Sequence, residues 1–164
     1  MNDRDLPRIT EVSGEKSIII GEKHLYSPRS PVEKSRARAL SAESGESILF
    51  LLASPLLWYG TEDLLSTISP SSHVLALELD ERLRPLSLEH LPSGLRDRER
   101  LHILDHEPDS SRLIEILRTI GVEKFRSVRL ISLNGGYRLH AKEYATLRDV
   151  LNEEIRAFWK NKST

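Results

Sequence analysis

Apolar residues fall into two kinds of run along this chain. Ile48-Leu49-Phe50-Leu51-Leu52-Ala53 and Val74-Leu75-Ala76-Leu77 are short unbroken blocks bounded by turn residues. Blocks without alternation mark strands buried on both faces. Elsewhere the apolar positions recur at helical spacing, as in Leu113, Ile114, Ile116, Leu117 and Ile120. Asp109 and Ser110 suit the start of that helix and Gly121 its end. The pattern predicts strands over 47–53, 73–79, 101–104 and 126–133, with helices near 61–69, 81–90 and 109–120 between them.

Strands alternating with amphipathic helices predict an α/β fold: a Rossmann-like, methyltransferase-like, mainly parallel sheet with helices on both faces. Residues 1–30 carry the turn pairs Ser13-Gly14 and Gly21-Glu22 between β-prone runs and read as a hairpin or meander of the same unit. Ser30-Pro31 suits a helix start, and the helix is expected to run to about Ser44 before Gly45. The Rossmann-like unit spans 31–140. Asn134-Gly135-Gly136 is a turn, and 141–164 is a long C-terminal helix, read as a linker to a further catalytic region. Tyr144, Leu147, Leu151, Ile155 and Phe158 line one face of it, widened by Trp159. Either this stripe packs on the chain's own sheet, or it is an interface for self-association or for a further domain.

Composition narrows the class. A net charge of −1 with 30% charged residues gives no basic footprint for nucleic acid. The arginines at Arg82, Arg84, Arg96, Arg98 and Arg100 are interleaved with acids, which reads as a solvated face. With no cysteine, disulfides and thiolate chemistry are excluded. No apolar run approaches membrane-spanning length, and the charged start Met1-Asn2-Asp3-Arg4-Asp5 lacks a signal-peptide core, so a cytoplasmic protein is expected.

Strand, turn, helix, strand and acidic residue, in that order over Ile48 to Asp80, is the layout of a nucleotide-binding βαβ unit. Its turn should be glycine-rich, so that backbone amides can approach a phosphate. Here Ser54, Leu56 and Trp58 stand at the glycine positions, Tyr59 follows, and Pro55 removes an amide donor. The pocket is therefore read as degenerate, with no cofactor expected. Glu78 and Asp80 stand where an acid would hold a ribose, although Asp80 before Glu81-Arg82-Leu83 equally suits a helix cap. Asp105-His106-Glu107-Pro108-Asp109, with His102 upstream, offers metal-binding or acid/base groups. His102 and His106 would stand roughly 13 Å apart on an extended strand, so no metal site is expected. No Walker loop, nucleophile elbow or His-Glu-x-x-His motif is present.

Leu25-Tyr26-Ser27-Pro28-Arg29-Ser30-Pro31-Val32-Glu33-Lys34 resembles the segment that opens the motility-associated factor (Maf, DUF115/MptE-like) flagellin glycosyltransferases. In that family a strand follows, then a turn of the type G-x-G-x-G-Y, a helix, and a strand ending in an acid. Ser54 to Tyr59, Glu62-Asp63-Leu64-Leu65 and His73 to Asp80 keep this order, with Tyr59 retained and the three glycines replaced. Gly136-Tyr137, the long helix and Asn161-Lys162-Ser163-Thr164 resemble the lead-in to the family's catalytic region. The resemblance implies the N-terminal Rossmann-like domain of such a protein, non-catalytic by itself. Flagellin or a fused catalytic domain is its implied partner, and a nucleotide-activated nonulosonic acid the parent's donor. A diverged S-adenosylmethionine-dependent methyltransferase, with Glu78 or Asp80 on the ribose and Asp105 near the base, and a nucleotide-sugar-binding module are the alternative readings.

Overall fold

The computed structural model describes residues 6–43 and 45–162. The expected helix end at Ser44, the charged start Met1–Asp5, and Ser163 and Thr164 of the C-terminal lead-in lie outside them.

Three antiparallel strands open the chain: β1 (Pro7–Val12), β2 (Glu15–Ile20) and the short β3 (Lys23–His24). Left-handed backbone at Ser13 (φ 52) and Gly14 (φ 82) makes the first turn, and Gly21 (φ 61) the second. Helix α1 (Pro31–Leu40) follows, with proline in its first turn, where a missing amide costs nothing. It stops short of the expected end because Ser41 N turns onto the Ala37 and Arg38 carbonyls, each at 3.2 Å, tightening the last turn.

The main sheet is parallel throughout, in the order β6-β5-β4-β7: β4 (Ile48–Ala53), β5 (His73–Leu77), β6 (Leu101–Ile103) and β7 (Ser127–Ile131). Leu51 of β4 lies between Leu75 of β5 and Leu130 of β7. Helices α2 (Thr61–Thr67), α3 (Arg84–Glu89) and α4 (Ser110–Ile120) fill the crossovers, and α5 (Ala141–Lys162) closes the fold. The fold is thus the expected α/β class, with helices on both faces, an antiparallel N-terminal sheet and a long last helix. Among the described residues no helix is long and apolar enough to cross a membrane.

Alternation along the central strands divides the core in two. Leu49, Leu51, Ala53, Leu75 and Leu77 face α4 and α5, while Ile48, Phe50, Leu52, Val74 and Ala76 face α1 and α2. The stripe offered as an interface is spent here. Tyr144, Leu147, Leu151 and Ile155 are buried against the chain's own sheet, and Phe158 and Trp159 pack on the same cluster. The apolar area of Tyr144, Leu147, Leu151 and Ile155 is thus already removed from water within the chain.

Strand β5 ends two residues before the expected boundary, and α3 starts later than expected. Side chains take up the backbone groups there: Leu79 N donates to the Tyr144 hydroxyl and Asp80 N to Glu78 Oε2. The Arg84 guanidinium takes the carbonyls of Glu78 (3.0 Å) and Leu79 (3.3 Å), drawing that backbone out of the sheet ladder. Asp109 caps α4 by accepting from Arg112 N at 2.8 Å, and Gly121 (φ 122) ends it.

Candidate functional site

From β4 the chain builds β5 and β6 outward on one side and then crosses to place β7 on the other. The carboxyl end of β4 is therefore the topological switch point, where open α/β sheets hold their ligands. Ser54, Glu78 and Asn134 follow the ends of β4, β5 and β7 at this place.

The turn after β4 has the backbone of a glycine loop without its glycines. Ser54 (φ 60), Leu56 (φ 50), Trp58 (φ 67) and Gly60 (φ 86) are all left-handed, and only the last lacks a side chain. Each of the first three costs about 1–3 kcal/mol of local strain, so the surrounding packing must hold them. Leu56 is fully buried among Ile18, Leu25, Tyr26 and Leu83. Trp58 packs on the opposite core with Phe50 and Leu65 and donates Nε1–H to the Ser87 carbonyl at 2.9 Å. Between Trp58, Pro55, Leu77, Arg84 and Leu88 the residual space is about 10 Å³, at most about one water. Position 60 has no room for a side chain, since a Cβ there would stand 2.6 Å from the Ser35 carbonyl oxygen.

The N-terminal sheet seals the turn from outside. Ile18, Ile20, Leu25 and Tyr26 cover Leu56 and Leu57. The Tyr26 hydroxyl accepts from Leu57 N at 2.9 Å and donates to the Pro55 carbonyl at 3.4 Å. Tyr59 lies on the rim, its ring 5.0 Å from that of Tyr26 and its hydroxyl donating to Lys16 O.

Both acids are committed to neighbours. Glu78 is 3% exposed: Oε1 accepts from Ser54 Oγ at 2.6 Å, and Oε2 from Asp80 N at 3.1 Å and the Tyr144 hydroxyl at 3.2 Å. Burial pushes its carboxyl up to about 7 despite these bonds. Asp80 takes the opposite course. Burial acts to raise its pKa, but hydrogen bonds from Arg82 and His140 outweigh it and hold the carboxyl well below the usual range. Asp80 Oδ1 accepts from Arg82 N (2.9 Å) and Nε (3.0 Å), and Oδ2 meets Arg82 Nη2 (2.8 Å) and His140 Nε2 (3.0 Å). Asp80 does not cap α3, which has Leu83 at its N-cap position and no side-chain cap bond; its carboxylate serves the turn at 81–83 instead.

Asn134 completes the clasp, donating to the Ser54 carbonyl at 2.8 Å and accepting from Gly136 N at 2.7 Å. Ser54, Glu78, Asn134 and Tyr144 thus tie β4, β5, the loop after β7 and α5 together. Chemically, Glu78 could take up or release a proton near neutrality, but the space it lines with Pro55, Trp58 and Arg84 is the one of about 10 Å³. Asp105 joins none of this: it is exposed and pairs with His106 at 2.8 Å. His102 lies elsewhere, with Nε2 at 2.8 Å from His73 Nδ1 at the amino end of β5. Among the described residues no group of three or more His, Cys, Asp or Glu side chains could hold a metal ion.

Sequence reasoning missed Asn134, His140 and Tyr144. Asn134 reads as a turn residue, and Tyr144 as one more member of a helical stripe. The Tyr144 hydroxyl is the only polar atom on that stripe's buried side chains, a sign that it needs a partner.

No family model matches the chain, and no solved structure matches it. A protein of Treponema pallidum (strain Nichols) described as "Uncharacterized protein" is similar to it, 25% identical over 159 residues. That match covers 96% of this chain and 27% of the relative, so the chain spans about a quarter of the length of the curated protein it matches.

Proposed function

We propose that this chain is a non-catalytic scaffold domain of a larger protein of the Maf flagellin-glycosylation kind, serving contact with flagellin or with a fused catalytic region. One observation carries the reading: Ser54, Leu56 and Trp58 keep the left-handed backbone of a glycine turn while their side chains are buried in the packing on either side of it. Such a turn supports a framework retained for its shape, with the function on outer surfaces. A cytoplasmic setting belongs to the same reading, in keeping with a chain that has no cysteine.

The test is a pair of titrations. Calorimetry and thermal shift with S-adenosylmethionine and S-adenosylhomocysteine should give no saturable response, and micromolar binding of either overturns the reading in favour of a methyltransferase. Purified flagellin and the catalytic region of a Maf protein, each titrated separately, should include one binder, and failure of both removes the protein-contact role.

A further inference from the structure

A second cleft opens beside the sealed turn, and its chemistry differs from everything around it. It has a volume of about 270 Å³ and lies at the carboxyl end of β7, between α1, the segment 24–28 and the segment 133–138. Lys34 and Arg38, four residues apart and so on one face of α1, line one wall. Arg138 lines the facing wall, and His24 and Ser27 the third side. No aspartate or glutamate lines it.

Three cations gathered without a counter-charge are unexpected on a chain whose net charge is −1. Among the described residues half of the arginines sit in ion pairs, such as Arg36 with Asp63, Arg82 with Asp80, Arg98 with Glu62, Arg118 with Glu154 and Arg129 with Glu43. The Lys34, Arg38 and Arg138 side chains have no ion pair or hydrogen bond there, Arg138 only approaching the Tyr137 ring at 5.8 Å. Ser27 Oγ accepts from Arg29 N and Ser30 N, which leaves its hydroxyl proton to donate.

The walls are fixed before any ligand arrives. Ser35 Oγ donates to the Leu133 carbonyl at 2.7 Å, joining α1 to the loop after β7. Gly135 N donates to the Leu25 carbonyl at 2.7 Å, joining that loop to the segment before α1. A preformed cleft spares a ligand the ordering cost of assembling it. Two guanidinium forks and an ammonium suit the oxygens of a phosphate, which arginine meets two at a time. The volume lies just below the range of about 300–1,000 Å³ typical of small-molecule sites, too small for a dinucleotide.

We propose that the cleft between Lys34, Arg38 and Arg138 binds a soluble small molecule through its phosphate or diphosphate group, beside a cofactor turn that is itself sealed. This does not rest on the scaffold reading, since it concerns other residues and another ligand.

The experiment uses the full chain, labelled for amide NMR, titrated at low ionic strength with phosphate, pyrophosphate and ribose 5-phosphate against chloride of equal ionic strength. Saturable shifts at Ser27, Asn134 and Gly135 are expected with the phosphate probes and not with chloride. Binding should weaken at least about ten-fold in the Arg38→Ala/Arg138→Ala variant, as expected for loss of charged hydrogen bonds. Both side chains are exposed, so the variant should melt with the parent. No shift at millimolar probe, an equal response to chloride, undiminished binding by the folded variant, or exclusion of the ester while inorganic phosphate binds would each overturn the proposal.

Discussion

Ser54 Oγ lies 2.6 Å from Glu78 Oε1, both groups buried, across the carboxyl ends of the two central strands. The bond satisfies a carboxyl with almost no access to water, and it holds a residue whose backbone is left-handed. Two substitutions separate these effects. Ser54→Ala removes the bond and keeps the strain, so it should cost about 1.5–3 kcal/mol. Ser54→Gly removes the bond and also relieves strain of about 1–3 kcal/mol, offset by about 0.5–1 kcal/mol of glycine's chain entropy. Urea unfolding should therefore rank Gly as more stable than Ala at position 54, the reverse of the order at a right-handed site.

Gly136 tests the same corner from the other side. A Cβ there would run into Ser54 Oγ and stand 3.0 Å from both Asn134 Oδ1 and Leu56 Cδ1. Gly136→Ala should destabilise by about 1–3 kcal/mol through overpacking. Adding Ser54→Gly should recover part of that loss, measurable as a positive coupling in a double-mutant cycle.

Stability should carry a pH signature from Glu78. Its folded value, about 7, lies above its ordinary value of 4.5. The protonated form is thus the favoured one in the fold. Its contribution is complete below about pH 4.5 and is lost as the pH rises through about 7, up to about 3 kcal/mol in all. His73, lowered to about 4 by burial and then by His102, has the opposite sign across an overlapping range. Its contribution is present above pH 6.5 and lost as the pH falls through 4, reduced by the solvent around a half-buried ring. The clean measurement is the difference between the parent and Glu78→Gln in urea unfolding. That difference should decline from pH 4.5 to pH 8, and a flat difference would contradict the assignment.

Tyr144→Phe should cost about 1–3 kcal/mol while leaving the ring's packing intact. The hydroxyl accepts from Leu79 N at 3.0 Å and reaches the Leu77 carbonyl at 3.3 Å and Glu78 Oε2 at 3.2 Å. Because its hydrogen bond favours the charged Glu78, the variant should also move the Glu78 transition to higher pH. Carboxyl-carbon NMR of Glu78 reads this directly.

Leu151→Ala distinguishes a core stripe from an interface. Leu151 is 0% exposed against the sheet, so the substitution should cost about 2–5 kcal/mol. The loss should be the same at every protein concentration, and sedimentation of the folded protein should not change.

The two continuous apolar blocks made the central strands legible, because a strand covered on both faces needs no polar alternation. Capping residues did the same for α4, where Asp109 and Gly121 act locally. The site was legible only through a template: Ser54, Leu56 and Trp58 stand out by occupying positions where glycine belongs, yet nothing local says where their side chains go. What was not legible depends on partners far along the chain. Tyr144 meets Glu78 across 66 residues and His140 meets Asp80 across 60, and no periodicity encodes such a meeting. The end of β5 failed for a related reason, since the backbone after it is held by Arg84 on the Glu78 and Leu79 carbonyls and by the Tyr144 hydroxyl on Leu79 N.

The Asn134 to Ser54 bond spans 80 residues and the Ser35 to Leu133 bond 98. Contacts of such separation close large loops and cannot form until most of the chain is in place. During synthesis, therefore, the first three strands emerge with Ile18, Ile20 and Leu25 uncovered and must wait for the turn they are to cover. Assembly should end at the strand tips, so the corner that looks most rigid in the finished fold is the last to acquire its shape.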